Sequence, residues 1–155
     1  MPEQHRTNEP RTKAQRKADV LAKLSADVAD AWVATADGDE PYLVPLTMAW
    51  SGDRIVLATD RSTPTARNIL AHGKARLALG GTRDVVMIDA YLERTIPVAD
   101  AGPVGDAYAA QNDWDPRTAG DAYLFLVLRP DRIQAWREVN EIPDRTVMRD
   151  GAWLT

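Results

Sequence analysis

The sequence predicts a mainly β fold: a closed antiparallel barrel of six to seven strands with two or three short helices inserted. Three observations carry this. The apolar segments are short and read at strand period or as brief apolar runs. The turns between them are only a few residues long, so neighbouring strands pair antiparallel, because parallel pairing needs a long crossover. The chain has 155 residues, one domain's worth, enough to bury roughly two thirds of its unfolded surface without disulfides or metal.

Each element follows from local signals. Residues 1–12 are polar and contain prolines, which predicts a flexible N-terminal tail, with a single domain over 13–155. From Lys13 to Asp30, Val20, Leu21, Leu24 and Val28 fall on one face of an amphipathic helix. Ala31 to Ala36 reads as a strand and Asp37-Gly38-Asp39-Glu40 as a turn. Pro41 to Trp50 is a longer strand, Ser51-Gly52-Asp53 a second turn, and Ile55 to Thr59 a third strand. Thr63 then serves as N-cap, Pro64 as first helical residue and Gly73 as terminator of a short helix. Arg76 to Leu79 and Val85 to Ile96 are strands, and Pro103 to Asn112 is helical by composition. Tyr123 to Leu128 is a strand, Pro130-Asp131 a turn, and Ile133 to Trp136 another strand. A final pair falls around Val147 and Trp153, across Asp150-Gly151.

Composition excludes several chemistries. There is no cysteine, so disulfides, thiolate metal sites and cysteine nucleophiles are ruled out. The two histidines, His5 and His72, are too few for a His-rich metal site or a ready Ser-His-Asp triad. Five Trp, four Tyr and one Phe tilt the aromatics toward residues that suit wet interfaces and flat ligands. The net charge of −4 argues against a nucleic-acid partner, although the tryptophans could serve as stacking platforms. The basic residues Arg6, Arg11, Lys13, Arg16 and Lys17 read as a solvated tail leading into a helix. No apolar run is long enough to span a membrane and no secretory signal is visible, which gives a cytoplasmic protein as the expectation.

The most informative segment for function runs from Leu57 to Leu70. A helix N-terminus offers unpaired N–H groups and a positive dipole end to an anion. Here Thr59, Ser62, Thr63 and Thr65 supply hydroxyls, and Arg61 and Arg67 supply guanidinium groups suited to phosphate. The same spacing also suits a plain capped helix with solvated arginines. Gly80-Gly81-Thr82-Arg83-Asp84 permits close backbone approach and adds a cation, or is an ordinary hairpin turn. Trp136-Arg137 and Asp144-Arg145 combine a flat ring with cations, or divide between core and surface. The shared theme is anion binding beside flat stacking, without a proton-transfer dyad, which fits a bound aromatic phosphate cofactor.

The order of these segments resembles the split-barrel flavin-binding family that includes pyridoxamine 5′-phosphate oxidase. The resemblance is carried by Trp32-Val33-Ala34-Thr35, Tyr42-Leu43-Val44-Pro45-Leu46-Thr47, Val56-Leu57-Ala58-Thr59, Ser62-Thr63-Pro64-Thr65-Ala66-Arg67-Asn68-Ile69, Arg76-Leu77-Ala78-Leu79 and Arg132-Ile133-Gln134-Ala135-Trp136. It spans about residues 31 to 150. It implies a split barrel of the FMN-binding type, with Val44, Pro45, Leu46 and Thr47 along the flavin ring. Thr59, Ser62, Thr63, Thr65, Arg67 and Asn68 would surround the phosphate, Arg83 would add a contact, and Trp136 and Arg145 would lie near the ring. It also implies a homodimer with cofactor at the interface, acting as an oxidoreductase on a small-molecule substrate, with FMN or the deazaflavin coenzyme F-420. A non-catalytic flavin or haem carrier of the same fold is the other reading. The oxidase's arginine–histidine pair for pyridoxal phosphate has no counterpart in Asn140 to Arg145. Thr65 stands where several relatives place a lysine. On packing, Trp32 and Trp50 are expected inside the first hairpin, with Trp114 and Trp153 at an interface.

Overall fold

The structure, a computed structural model, describes residues 9–155; His5, Arg6 and most of the expected tail lie outside them. The first helix, α1 (Lys13–Leu24), opens on a capping box: Thr12 Oγ1 accepts from the Gln15 amide and Gln15 Oε1 accepts from the Thr12 amide. It buries Val20 and Leu24. It ends six residues before the expected Asp30, because Ser25 closes the last turn. The Ser25 amide and hydroxyl both donate to the Leu21 carbonyl, at 3.0 and 2.6 Å. Arg11 and Arg16 also depart from the solvated reading, since Arg16 is only 3% exposed.

The strands are β1 (Ala29–Asp37), β2 (Glu40–Ser51), β3 (Arg54–Asp60), β4 (Lys74–Leu79), β5 (Val85–Pro97), β6 (Tyr123–Trp136), β7 (Thr146–Arg149) and β8 (Ala152–Trp153). Helix α2 (Pro64–His72) joins β3 to β4, and α3 (Gly102–Asn112) lies between β5 and β6. The sheet order is β3-β2-β1-β4-β5-β6-β7-β8, and β3 also pairs with β6. That pairing closes β1–β6 into an antiparallel barrel, with β7 and β8 as an added hairpin. The β2–β3 turn explains its sequence: Gly52 and Asp53 both take positive φ, +56° and +58°, as a tight hairpin with right-handed strand twist requires.

Pro130-Asp131 is not a turn. It lies inside β6, where the register against β5 slips between the Asp89–Arg132 and Ala90–Pro130 pairs. Proline has no N–H for the ladder, and a bulge is where a strand accommodates it. The two segments expected as separate strands are therefore one strand, bent at that bulge.

Val33, Met48, Leu57, Leu77, Ile88, Leu126 and Ile133 fill the barrel interior, and Ile69 of α2 packs with them. A second cluster, Ala49, Val56, Tyr108, Phe125 and Val127, forms under α3. Residues of β3 and β6 are thus buried on both faces, one by the barrel interior and one by α3. This accounts for the near-continuous apolar runs Ile55–Ala58 and Leu124–Leu128.

Strand β2 meets β3 only from Met48 onward, while its pairing with β1 extends from Glu40 to Met48. Among the described residues, no strand pairs the other edge of β2 over residues 40–47. Pro41 and Pro45 sit on that segment, where a missing N–H is tolerated. Past this point α3 braces the strand with side chains. Tyr108 Oη donates to the Thr47 carbonyl (3.2 Å), Asn112 Nδ2 to the Met48 carbonyl (3.1 Å), and the Trp50 amide to Gln111 Oε1 (2.8 Å). No helix among the described residues is long and apolar enough to cross a membrane.

Candidate functional site

The free edge of β2 faces α2 across a cavity of about 400 Å³ lined by Asp37, Glu40, Pro41, Tyr42, Pro64, Arg67, Asn68 and Ala71. Sequence chemistry builds its helical wall. Asp60 ends β3, and its carboxylate accepts from the Ser62 amide and hydroxyl, at 2.8 and 2.7 Å. These bonds, the amide's first, hold the Asp60 carboxyl below its ordinary range. Thr63 caps α2: its hydroxyl donates to the Asp60 carbonyl (2.9 Å) and accepts from the Ala66 amide (3.2 Å). Its single proton being used there, Thr59 Oγ1 is the donor in the 3.2 Å contact between the two hydroxyls. Gly73 ends the helix with φ +72°.

The expected phosphate residues divide. Ser62 spends both donors on Asp60, and Arg61 turns to the Ala122 and Asp121 carbonyls. Asn68 is buried and donates to Thr35 Oγ1, so it anchors the helix to β1. Thr65 is 2% exposed and its hydroxyl has no partner. Thr65 is not among the residues that line the cavity. Arg67 is exposed and lines the cavity; its amide donates to the Thr63 carbonyl, while its guanidinium has no hydrogen-bond or ion-pair partner among the described residues. An unpaired guanidinium next to a helix N-terminus and a strand edge with unused backbone groups together fit a phosphate-bearing ligand.

On β2, Val44 and Leu46 are half-buried, and Leu46 packs against the core. Pro45 is exposed. Thr47 is already engaged: its hydroxyl donates to Asp30 Oδ1 (2.8 Å), and its carbonyl accepts from Tyr108. Burial raises the Tyr108 phenol well above its usual range, which keeps it neutral and a donor.

Trp136, Arg145 and Arg83 gather elsewhere. The Arg145 guanidinium lies 5.6 Å from the Trp136 ring centre, a cation–π contact. Arg83 is exposed and pairs with Glu138 at 3.6 Å. The glycine before it serves the turn itself, since a Cβ on Gly80 would collide with the Asp84 carbonyl oxygen. Along the β1–β4–β5 side of the barrel, the register Pro45–Trp32–Ala78–Met87–Gln134 puts the Trp136 end of β6 four strand spacings from β2, a path of roughly 19 Å around the sheet. Neither Trp136 nor Arg145 lines the α2 cavity.

Between the two clusters, the outer sheet face is apolar. Trp32 is 52% exposed and Leu43 60%, and with Ala34, Ala78 and Met87 they line a shallow depression. Trp32 thus does not pack inside the hairpin as expected, because its position on β1 alternates outward between buried Ala31 and Val33. Trp50 does pack against the core. A larger groove, about 620 Å³, adjoins this face, but Asp89 there is shared by Arg76 (2.6 Å) and Arg132 (3.1 Å), so much of its charge is internally neutralised.

Sequence reading missed the residues that shape the cavity opposite Arg67, namely Asp37, Glu40 and Tyr42. The strand-and-turn pattern placed them, but only the partnerless edge of β2 shows why they matter. Among the described residues no group of three or more potential metal ligands occurs.

The architecture is the split barrel. Solved structures with this fold include an F420 reductase (TM-score 0.60, 17% identity, covering 72% of this chain and 93% of that one). They also include an FAD-binding protein from Mesorhizobium loti (0.56, 15%, 76% and 89%). A third is a heme-binding protein from Mycobacterium smegmatis (0.60, 19%, 91% and 59%). At these identities the likeness defines the fold. In sequence, no protein-family model and no curated protein matches the chain.

Proposed function

We propose that this protein is a homodimeric oxidoreductase that binds a phosphate-bearing flavin, FMN in the first instance and coenzyme F-420 as the alternative. The observation that carries the reading is Arg67, an unpaired cation on the wall of a cavity between α2 and the partnerless edge of β2. Arg67 and the first turn of α2 hold the phosphate, and the backbone of residues 44–47 borders the ring. The F420 and FAD-binding neighbours support this ligand class. The exposed Trp32–Leu43 face packs against a second copy, whose Trp136 and Arg145 complete the site. When bound, the cofactor supplies the hydride chemistry; the chain's residues bind it, orient it and exclude water.

The heme-binding neighbour supports a second reading, a non-catalytic carrier. The absorption spectrum of freshly purified protein, with mass spectrometry of whatever denaturation releases, tests both. A flavin or deazaflavin spectrum, bleached by a nicotinamide or reduced-deazaflavin donor, is expected. A bound flavin that no donor reduces supports the carrier. Failure of both FMN and F-420 to bind at micromolar concentration overturns the proposal.

A further inference from the structure

We infer that Arg11 and Arg16 are positioning residues that fix the Trp136–Arg145 pair from the N-terminal side of the chain; the inference deepens the proposed cofactor site and rests on it.

Their bonds fall on the residues flanking the pair. Arg16, buried inside α1, directs Nη1 at the Asp144 carbonyl (2.6 Å), immediately before Arg145. The same nitrogen reaches the Ala135 carbonyl, immediately before Trp136, and the Glu141 carbonyl, each at 3.4 Å. Arg11 grips the Glu141 carboxylate in a fork, Nη2 to Oε1 at 2.7 Å and Nε to Oε2 at 3.0 Å, and its own amide adds a third bond at 2.8 Å. Glu141 in turn accepts from the Arg137 amide (2.9 Å), immediately after Trp136. The Ala135 amide donates to the Arg145 carbonyl, which joins the two segments directly.

The arrangement is built. Glu141 is 3% exposed, and a bidentate arginine satisfies both its oxygens. Asp19 holds Arg11 at 2.8 Å and also approaches Arg137 at 3.6 Å. Asp84 lies 3.3 Å from Arg137 and 3.2 Å from Lys23. Here, backbone on both sides of Trp136 and the residue before Arg145 are held from one helix end. The consequence is a ring-and-cation pair presented in fixed orientation on the outer surface, where a second copy's cofactor would meet it.

Fluorine NMR of cofactor-free protein labelled with 5-fluorotryptophan reads this directly, the Trp136 line being assigned by its loss in Trp136→Phe. Arg11→Met and Glu141→Gln are each expected to shift or broaden that line while the Trp32 and Trp114 lines stay in place. The double variant is expected to do no more than either single one. FMN affinity is expected to fall about fivefold or more in each. Arg11→Lys, which keeps the charge but not the fork, should be intermediate, and it replaces Arg11→Met if the latter does not fold. An unchanged Trp136 line in a folded variant overturns the inference, as does a shifted line with FMN affinity intact. If the unaltered protein binds no FMN, the proposed function falls, and the Trp136 line alone decides the clamp.

Discussion

The Asn68 side-chain amide donates to Thr35 Oγ1 across 3.1 Å, with both residues buried. That bond ties the middle of α2 to β1, so the helix stands beside the open edge of β2. It also sets the neighbouring residue, Arg67, on the cavity wall.

Arg67→Ala is expected to weaken FMN at least tenfold, a loss of about 1.4 kcal/mol or more for a charge-assisted contact, and to leave riboflavin nearly unaffected. Parallel titrations of the two flavins by fluorescence quenching measure the difference. Equal losses would mean that Arg67 does not face the phosphate.

Thr65→Val separates ligand binding from stability. A buried hydroxyl without a partner costs about 1–3 kcal/mol, so its isosteric replacement should raise the thermal midpoint. The same change should lower FMN affinity if the first turn opens onto the phosphate. A variant that is more stable and binds FMN as before would remove Thr65 from the site.

Trp32→Glu places a charge on the exposed apolar face while leaving the barrel interior untouched. It is expected to convert the proposed dimer to monomer in sedimentation experiments and to abolish flavin binding with it. A monomeric unaltered protein that still binds flavin would show that one chain suffices.

Acid sensitivity follows from Glu141. The Arg11 fork holds its carboxyl down at about 2 in the folded protein, below the ordinary 4.5. A depressed folded value contributes stability that is fully present above the unfolded value and lost as pH falls through the folded one. Stability should therefore decline between about pH 4.5 and 2, and Glu141→Gln should flatten part of that decline while lowering stability at pH 7 by about 3 kcal/mol or more. Urea denaturation across this range checks both; a slope unaltered by the substitution would count against the clamp's energetics.

Local chemistry alone settled much. Strand periods, the Gly52-Asp53 hairpin and the Thr63–Pro64–Gly73 frame of α2 are written in a few adjacent residues, because turns and caps are satisfied by neighbours. That chemistry also marked α2 as a segment that could bind an anion; the resemblance singled out Trp136 and Arg145, which the structure brings into a cation–π contact. Three things depended on contacts distant in sequence. Among the described residues, closure of the barrel by β3 and β6 leaves residues 40–47 of β2 without a second partner strand; Pro41 and Pro45 are compatible with such an edge, but which strands close the barrel is decided by distant pairing. Both Ser62 donors are engaged by Asp60 and one Asn68 amide donor by Thr35, which no sequence shows, since a hydroxyl or amide looks equally free whatever it bonds. Arg11 and Glu141, separated by 130 positions, form a buried pair that makes part of an expected tail into a fixture of the fold. Residue types determined which groups could bind; only the tertiary structure decided which remained unspent, because satisfying a buried polar group depends on what the fold brings to it.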